Sequence, residues 1–471
     1  MERNDLHREV YRTQGKLTSC FGYDAMGRKA WQFASTLPAD KLSQVHNTGI
    51  NTSLLVEHAY NPIHRRYQYD PAGELVRTLD KLRGEIKYEY EANGQLRSRD
   101  TGSLIGSEEF RYDPAANRLD FNARQFDKVK DNRIKQWRDQ EYRYDPWGNL
   151  IEKRSGHSKL QHFSYDCENR LVRAETLVNG KLESQGEYRY DSLGRRIAKQ
   201  AEINGKVEQK RFLWQGLRML REESPAKSIL YLYEPGSYAP LARVDQVEGE
   251  GQKVYYFHTD QIGTPLELTD SDGQIVWQAT YRSWAEIDEL VVDITEQNLR
   301  LQGQYFDKEI NLHYNTFRYY DPGVGRFISQ DPIGLDGSDN LYRYTPNPVT
   351  WIDPLGWVHE QAPGYNVYGL FDKGSDKPYY VGITDDLSRR RAEHAGSNKL
   401  SPGARMEPLD KNITYGEARG FEQAYIEHYE TKTGIVGEEI SHKNRGNKIN
   451  SYDHANTTRA PARQANFESN F

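Results

Sequence analysis

The sequence predicts a mainly β chain, a long antiparallel sheet followed by a small α/β unit. Three observations carry this. Aromatic residues reach 12%, and 33 tyrosines stand against 4 methionines, which suits aromatic cross-strand pairs better than a Leu/Ala-rich helical core. A short aromatic-x-Tyr-Asp motif recurs through the first half of the chain. Near the C-terminus that motif stops, and two tyrosine-bearing runs precede an arginine-rich helical segment. At 471 residues the chain exceeds one ordinary core, so two or more units are expected.

The repeats read FGYDAMGR (21–28), YQYDPAGEL (67–75), YEYEANGQL (88–96), FRYDPAANRL (110–119), YRYDPWGNL (142–150), FSYDCENRL (163–171) and YRYDSLGRRI (188–197). Their second aromatics fall at 23, 69, 90, 112, 144, 165 and 190, mostly 21–25 residues apart, with one step of 32 and a first gap of 46, about two periods. Aromatics two apart share one strand face. Pro at the first central turn position, with Gly or Asn soon after, suits a hairpin holding a left-handed residue. The Asp can accept turn amides two residues on. One hairpin cannot bury its own face, so neighbours must stack. The tyrosines therefore read as the lining of a sheet rather than as a carbohydrate-binding surface.

These residues resemble the YD repeats of the Rhs family, over most of 1–255. The resemblance implies a β shell or spiral that encloses a C-terminal toxin. Seven or eight repeats are few for a closed shell, so a fragment or a shortened copy is expected. From Tyr255 the pattern changes, and 256–357 is similar to the end of the Rhs core. Two DPxG boxes stand there, at Asp331 and at Asp353. Turn chemistry alone makes them two tight loops. Brought together, two carboxylates cannot both ionise, so one keeps a proton and the pair can activate water while protonating a leaving group. The resemblance implies such a self-cleaving site, Asp331 with Asp353, cutting between Trp357 and Val358, with Arg326 orienting a carboxylate. Trp357 occupies a place that is usually leucine in the family.

Residues 358–471 carry 15 Lys/Arg and 16 Asp/Glu, so the unit as a whole does not invite a polyanion. Val367–Phe371 and Tyr379–Ile383 read as a strand pair joined by the turn-rich DKGSDKP. Thr384 and the two aspartates after it supply a helix cap and a negative first turn. In the helix that follows, Leu387, Arg390, Arg391 and His394 fall on one side and Arg389 points away. A second helix over 416–429 presents Ala418, Phe421, Tyr425, Ile426 and Tyr429 as an apolar stripe, with Glu422 in its middle. An unpaired carboxylate there is costly. It needs a cation, either Arg390 or a metal.

Residues 364–452 resemble the GIY-YIG nuclease fold. The two motifs correspond to Asn366-Val367-Tyr368 and Tyr380-Val381-Gly382, with Asn366 in place of the first glycine. Arg390 lies ten residues after Tyr380 and four before His394, as the family arginine does. The resemblance implies metal-dependent phosphodiester hydrolysis. Tyr368 would act as general base with Tyr380 assisting, and Arg390 would stabilise the phosphate. Glu422 would hold Mg²⁺ or Mn²⁺, His394 would orient a phosphate or close the helix face, and Asn450, in preference to Asn447, would be the late asparagine.

The formal charge of −6 gives no basic signal, and two cysteines, Cys20 and Cys167, make no disulfide framework. No apolar run approaches a membrane span, and MERNDLHREV lacks a signal-peptide core. The resemblances imply an antibacterial effector made in the bacterial cytoplasm and passed into neighbouring cells by a contact-dependent route such as type VI secretion. Spike and chaperone proteins, a DNA substrate and a cognate immunity protein are the implied partners. The competing functions are a non-catalytic shell or interaction protein and an RNA-cleaving toxin.

Overall fold

The computed structural model describes residues 2–4, 8–37, 42, 61–120, 129–334, 340–356, 365–384, 387–396, 399–400, 403–413, 415–434 and 445–447. The chain divides into two compact units, Met1–Trp357 and Val358–Phe471.

The first unit is built from antiparallel meanders in which each strand pairs with its neighbours in sequence. A 9-stranded sheet runs from Glu2–Arg3 to Glu108–Glu109, and a 15-stranded sheet from Gln136–Trp137 to Ile287–Asp293. Repeat chemistry sets the hairpins. Asp24 Oδ1 accepts the amides of Met26 and Arg28 at 3.0 and 2.9 Å, and Asp191 Oδ1 accepts those of Leu193 and Arg195 at 3.0 and 2.9 Å. The left-handed turn position falls to Gly27, Gly73, Gly94, Gly148 and Gly194, and to Ala116 and Asn169 where the glycine is missing.

The two aromatics of a repeat have different roles. The first is buried in six of the seven, Phe21, Tyr67, Phe110, Tyr142, Phe163 and Tyr188, and Tyr88 is half-buried. In most repeats the second donates its hydroxyl to the carbonyl of the first strand residue after the preceding turn. Tyr90 reaches Leu75 O at 2.6 Å, Tyr112 Leu96 O at 2.8 Å, Tyr165 Leu150 O at 2.8 Å and Tyr190 Leu171 O at 2.6 Å. This link satisfies a phenol that burial would otherwise leave unbonded. It also ties these repeats to the ones before them, which gives the spacing its physical reason.

The expected division at 255/256 is not a structural one. Strand Lys253–Thr259 runs through it, and the sheet continues to Asp293. The repeat motif fades there, but the turn chemistry does not: Asp260 Oδ1 accepts Ile262 N and Thr264 N at 3.0 and 2.8 Å, beside Gly263 at φ +89°.

A four-stranded sheet, Tyr305–Asp307, Leu312–Asn315, Arg318–Asp321 and Arg326–Phe327, follows. Its Tyr305, Leu312, Tyr314 and Tyr319 share one core with Phe163, Phe212, Tyr231, Phe257 and Trp277 of the large sheet. A buried ion network pins the two together. Arg196 meets Asp307, Lys199 Nζ meets Asp307 at 2.9 Å and Glu309 at 3.0 Å, and Tyr188 donates to Glu309 at 3.0 Å. Burial alone would raise the Asp307 pKa, but Arg196 and Lys199 hold it below the ordinary value. Asp307→Asn leaves two buried cations facing one carboxylate. It is expected to destabilise this unit by about 3–5 kcal/mol, read as a lower melting midpoint, whereas Glu187→Gln on the exposed face should stay within about 0.5 kcal/mol.

The second unit contains a three-stranded antiparallel sheet in the order Pro378–Thr384, Tyr365–Phe371, Arg405–Ile413, with helices Leu387–Gly396 and Tyr415–His428. Val367 and Val381 of the sheet pack on Ala418 and Ile426 of the second helix. The third strand carries Pro408 opposite Tyr368, and two register shifts accompany it. Proline is tolerated there because the strand lies at the sheet edge. Among the described residues, no helix is long and apolar enough to cross a membrane.

Candidate active sites

Both DPxG boxes fold as tight turns. Asp331 O accepts Gly334 N at 2.9 Å, and Asp353 O accepts Gly356 N at 3.4 Å. The fold then brings the two carboxylates to one cation. Arg318 Nη2 lies 3.0 Å from Asp331 Oδ2 and 3.5 Å from Asp353 Oδ2. Both aspartates and Arg318 are buried. Arg318 also donates from Nη1 to Leu341 O at 3.0 Å and from Nε to Gly356 O, and its guanidinium lies 3.5 Å from the Phe327 ring centroid. Burial lowers the Arg318 pKa, and the two aspartates counter that. Asn315 Nδ2 donates to Asp353 O at 2.9 Å, and the Tyr344 hydroxyl accepts Asp353 N at 3.3 Å, so the Asp353 backbone is held on both sides. Gly356, at φ +68°, cannot become another residue cheaply, since a Cβ would come 2.7 Å from Asn315 O.

The arginine beside both carboxylates is thus Arg318, and the expectation for Arg326 is corrected. Arg326 donates to Asn117 Oδ1 at 3.3 Å and to Asn132 O, over the Tyr342 ring. The turn Asp321–Arg326 directs its side chain there. Arg318 has a signal in sequence, an arginine set among aromatics in a strand that is buried throughout. Trp357 and Val358 lie outside the described residues.

In the second unit a tyrosine cluster forms between the strand pair and the first helix. Tyr368 is fully buried and stands opposite Gly382 in register. Its hydroxyl accepts from Arg390 Nε at 3.0 Å and lies 2.7 Å from His394 Nε2. The ring centroids of Tyr368, Tyr380 and His394 are 5.4–6.2 Å apart. Burial, then Tyr380, push the Tyr368 phenol well up, and the Arg390 hydrogen bond opposes this. Burial, then the Glu422 carboxylate, raise Tyr380, while Arg390 acts against them. Arg391, assigned to the same helix side by the projection, is exposed.

Gly382 makes the cluster possible. A Cβ there would sit 2.5 Å from the Tyr368 hydroxyl and 2.9 Å from the Tyr380 ring. Gly382→Ala is expected to cost this unit about 1–3 kcal/mol by overpacking, read as a lower melting midpoint of the full chain.

Glu422 is buried beside this cluster, and its ion pair runs to Arg419 of its own helix at 3.5 Å. The Glu422 carboxylate and the Arg390 guanidinium both act on Tyr380, so the two charges share one neighbourhood. Among the described residues no three His, Cys, Asp or Glu side chains converge as a metal cluster. One buried carboxylate still fits Mg²⁺ or Mn²⁺, since such ions take one or two protein carboxylates and complete their shell with water and phosphate oxygens. Asn447 clamps the second strand, with Oδ1 accepting Val381 N at 3.0 Å and Thr431 Oγ1 at 2.9 Å, and Nδ2 donating to Val381 O at 2.7 Å. Asn450 lies outside the described residues.

The chain is similar to the double-stranded DNA deaminase toxin A of Burkholderia cenocepacia, at 42% identity over 77% of this chain and 26% of that protein. It is 33% identical to the toxin protein Tse5 of Pseudomonas aeruginosa, over 62% of this chain and 27% of that protein. The probable deoxyribonuclease RhsA of Dickeya dadantii matches at 30% identity, over 62% of this chain and 21% of its own length. The chain thus spans about a quarter of the length of the first two relatives. In fold it is similar to the crystal structure of TcdB2-TccC3-Cdc42, with a TM-score of 0.51 at 18% identity, over 76% of this chain and 19% of that one. Residues 68–351, which hold all but the first of the repeats and the buried four-stranded sheet, match the Teneurin YD-shell family, and the chain belongs to that family.

Proposed function

We propose that the chain is part of an antibacterial Rhs-type toxin and that its second unit is a GIY-YIG-type, metal-dependent nuclease. The observation that carries it is the Tyr368–Arg390–His394 constellation beside Tyr380 and Glu422. The names of three relatives, a DNA deaminase toxin, a toxin and a probable deoxyribonuclease, support the toxin reading.

The residues suit phosphodiester hydrolysis. Burial makes a free Tyr368 phenolate costly, so the phenol works as a relay. An attacking water passes its proton to the Tyr368 oxygen as the phenol's own proton moves to His394 Nε2, which lies at hydrogen-bond distance. Arg390 keeps Nε on Tyr368, and its terminal nitrogens offset charge on a non-bridging phosphate oxygen. A Mg²⁺ or Mn²⁺ held by Glu422 would supply Lewis-acid charge to the departing oxygen. The full chain with supercoiled plasmid and Mg²⁺ is expected to give nicked and linear DNA, and none with EDTA. Cleavage of RNA alone would reassign the substrate, and cleavage of neither would remove the nuclease.

We also propose self-cleavage at the Asp331–Asp353 pair. One guanidinium, Arg318, offsets one carboxylate, so the other keeps its proton in a buried site. That gives an acid and a base in one place, with Arg318 also donating to the Gly356 carbonyl, and the bond proposed to be cut is Trp357–Val358. The separated unit would be the toxic part. Export with spike and chaperone proteins into neighbouring cells, and a cognate immunity protein, complete the proposed biology.

A further inference from the structure

We propose that Lys399 is a second phosphate-binding cation of the tyrosine site, a role that rests on the nuclease reading. Its ammonium nitrogen lies 3.4 Å from the centroid of the Tyr380 ring. The segment carrying it is fastened at two points. The amides of Lys399 and Leu400 both donate to His394 O at 3.0 Å, closing the C-terminal end of the first helix. The Tyr379 hydroxyl donates to Lys399 O at 2.8 Å. Two adjacent strand residues thus position one lysine, Tyr379 by holding its backbone and Tyr380 by receiving its ammonium on the ring face.

These bonds fix the segment's path through the backbone of Lys399, not through its side chain. A half-buried ammonium on a phenol face is favourable but modest, about 0.5–2 kcal/mol. Tyr380 belongs to the cluster that surrounds the attacking group, and Arg390 is occupied through Nε with Tyr368. Lysine acts as a point charge with three donors and needs no planar match, so it suits a backbone phosphate next to the scissile one. The ligand class is the phosphodiester backbone of a nucleic acid, read without regard to base.

The test uses the full chain with Glu422→Gln, to prevent cutting, and a short DNA duplex, with binding measured between about 50 and 200 mM salt. Adding Lys399→Gln is expected to weaken binding and to reduce the slope of log K against log salt by about one, and Lys399→Arg to restore it. Melting midpoints of all variants check that the fold is kept. An unchanged slope on adding Lys399→Gln, when the unsubstituted chain cuts plasmid, overturns the Lys399 role and leaves the nuclease standing. A parent that neither cuts nor binds nucleic acid overturns both.

Discussion

A chain carrying Asp353→Asn is expected to stay intact at 54.7 kDa, while the unsubstituted chain separates the Val358–Phe471 piece. Asp353 is fully buried and meets Arg318 with Asp331 on the other side of the same nitrogen. An amide keeps the volume and some hydrogen bonding but can neither hold nor release the proton that the proposed acid–base pair needs. Asp331→Asn should block the reaction equally, because either carboxylate alone supplies half of the acid–base pair. Arg326→Lys is expected to leave cleavage unchanged, since Arg326 bonds to Asn117 and Asn132. Gel electrophoresis of the purified proteins over time reads all three. Cleavage persisting in both Asp→Asn variants would point to an outside protease.

Arg390→Ala is expected to lower the plasmid-nicking rate by about 10²–10³-fold, the usual loss when one aligned donor to developing charge is removed. It removes two things at once, the Nε donor to Tyr368 and the charge aimed at phosphate. Arg390→Lys should recover little, because an ammonium cannot hold the phenol and fork onto a phosphate together. The outcome that sinks this assignment is Arg390→Ala nicking at the parent rate. Lys399→Gln should be milder in rate and visible mainly in salt dependence.

Local chemistry is legible in this sequence and tertiary placement is not. The repeat turns can be read because Asp, Pro and Gly act within five residues, as at Asp24–Arg28 and Asp191–Arg195. The carbonyl that receives each second tyrosine cannot, since it belongs to the preceding repeat. Tyr368, Arg390 and His394 can be grouped because a tight hairpin and a 3.6-residue period fix their relative faces. The contact of Glu422 with Arg419 is not legible in the apolar stripe, because Arg419 lies on the same helix, three residues back, outside the stripe that defines the buried face. Arg318 takes the place expected for Arg326 because two arginines flank one turn and only the packed core tells them apart. Strand Arg405–Ile413 is hidden in the sequence because Pro408 reads as a breaker unless the edge position is known.

The proposed nuclease site turns on Glu422, and the most direct measurement records the melting midpoint and the plasmid-nicking rate of the same full-length Glu422→Gln protein. Gln keeps the volume of the side chain, and its partner Arg419 stays a quarter exposed to water, so the fold should melt close to the parent. Nicking in Mg²⁺ is expected to fall to the EDTA level. A protein that melts normally and still nicks plasmid in Mg²⁺ contradicts the metal assignment. One that loses several kcal/mol of stability would make Glu422 a structural ion partner instead.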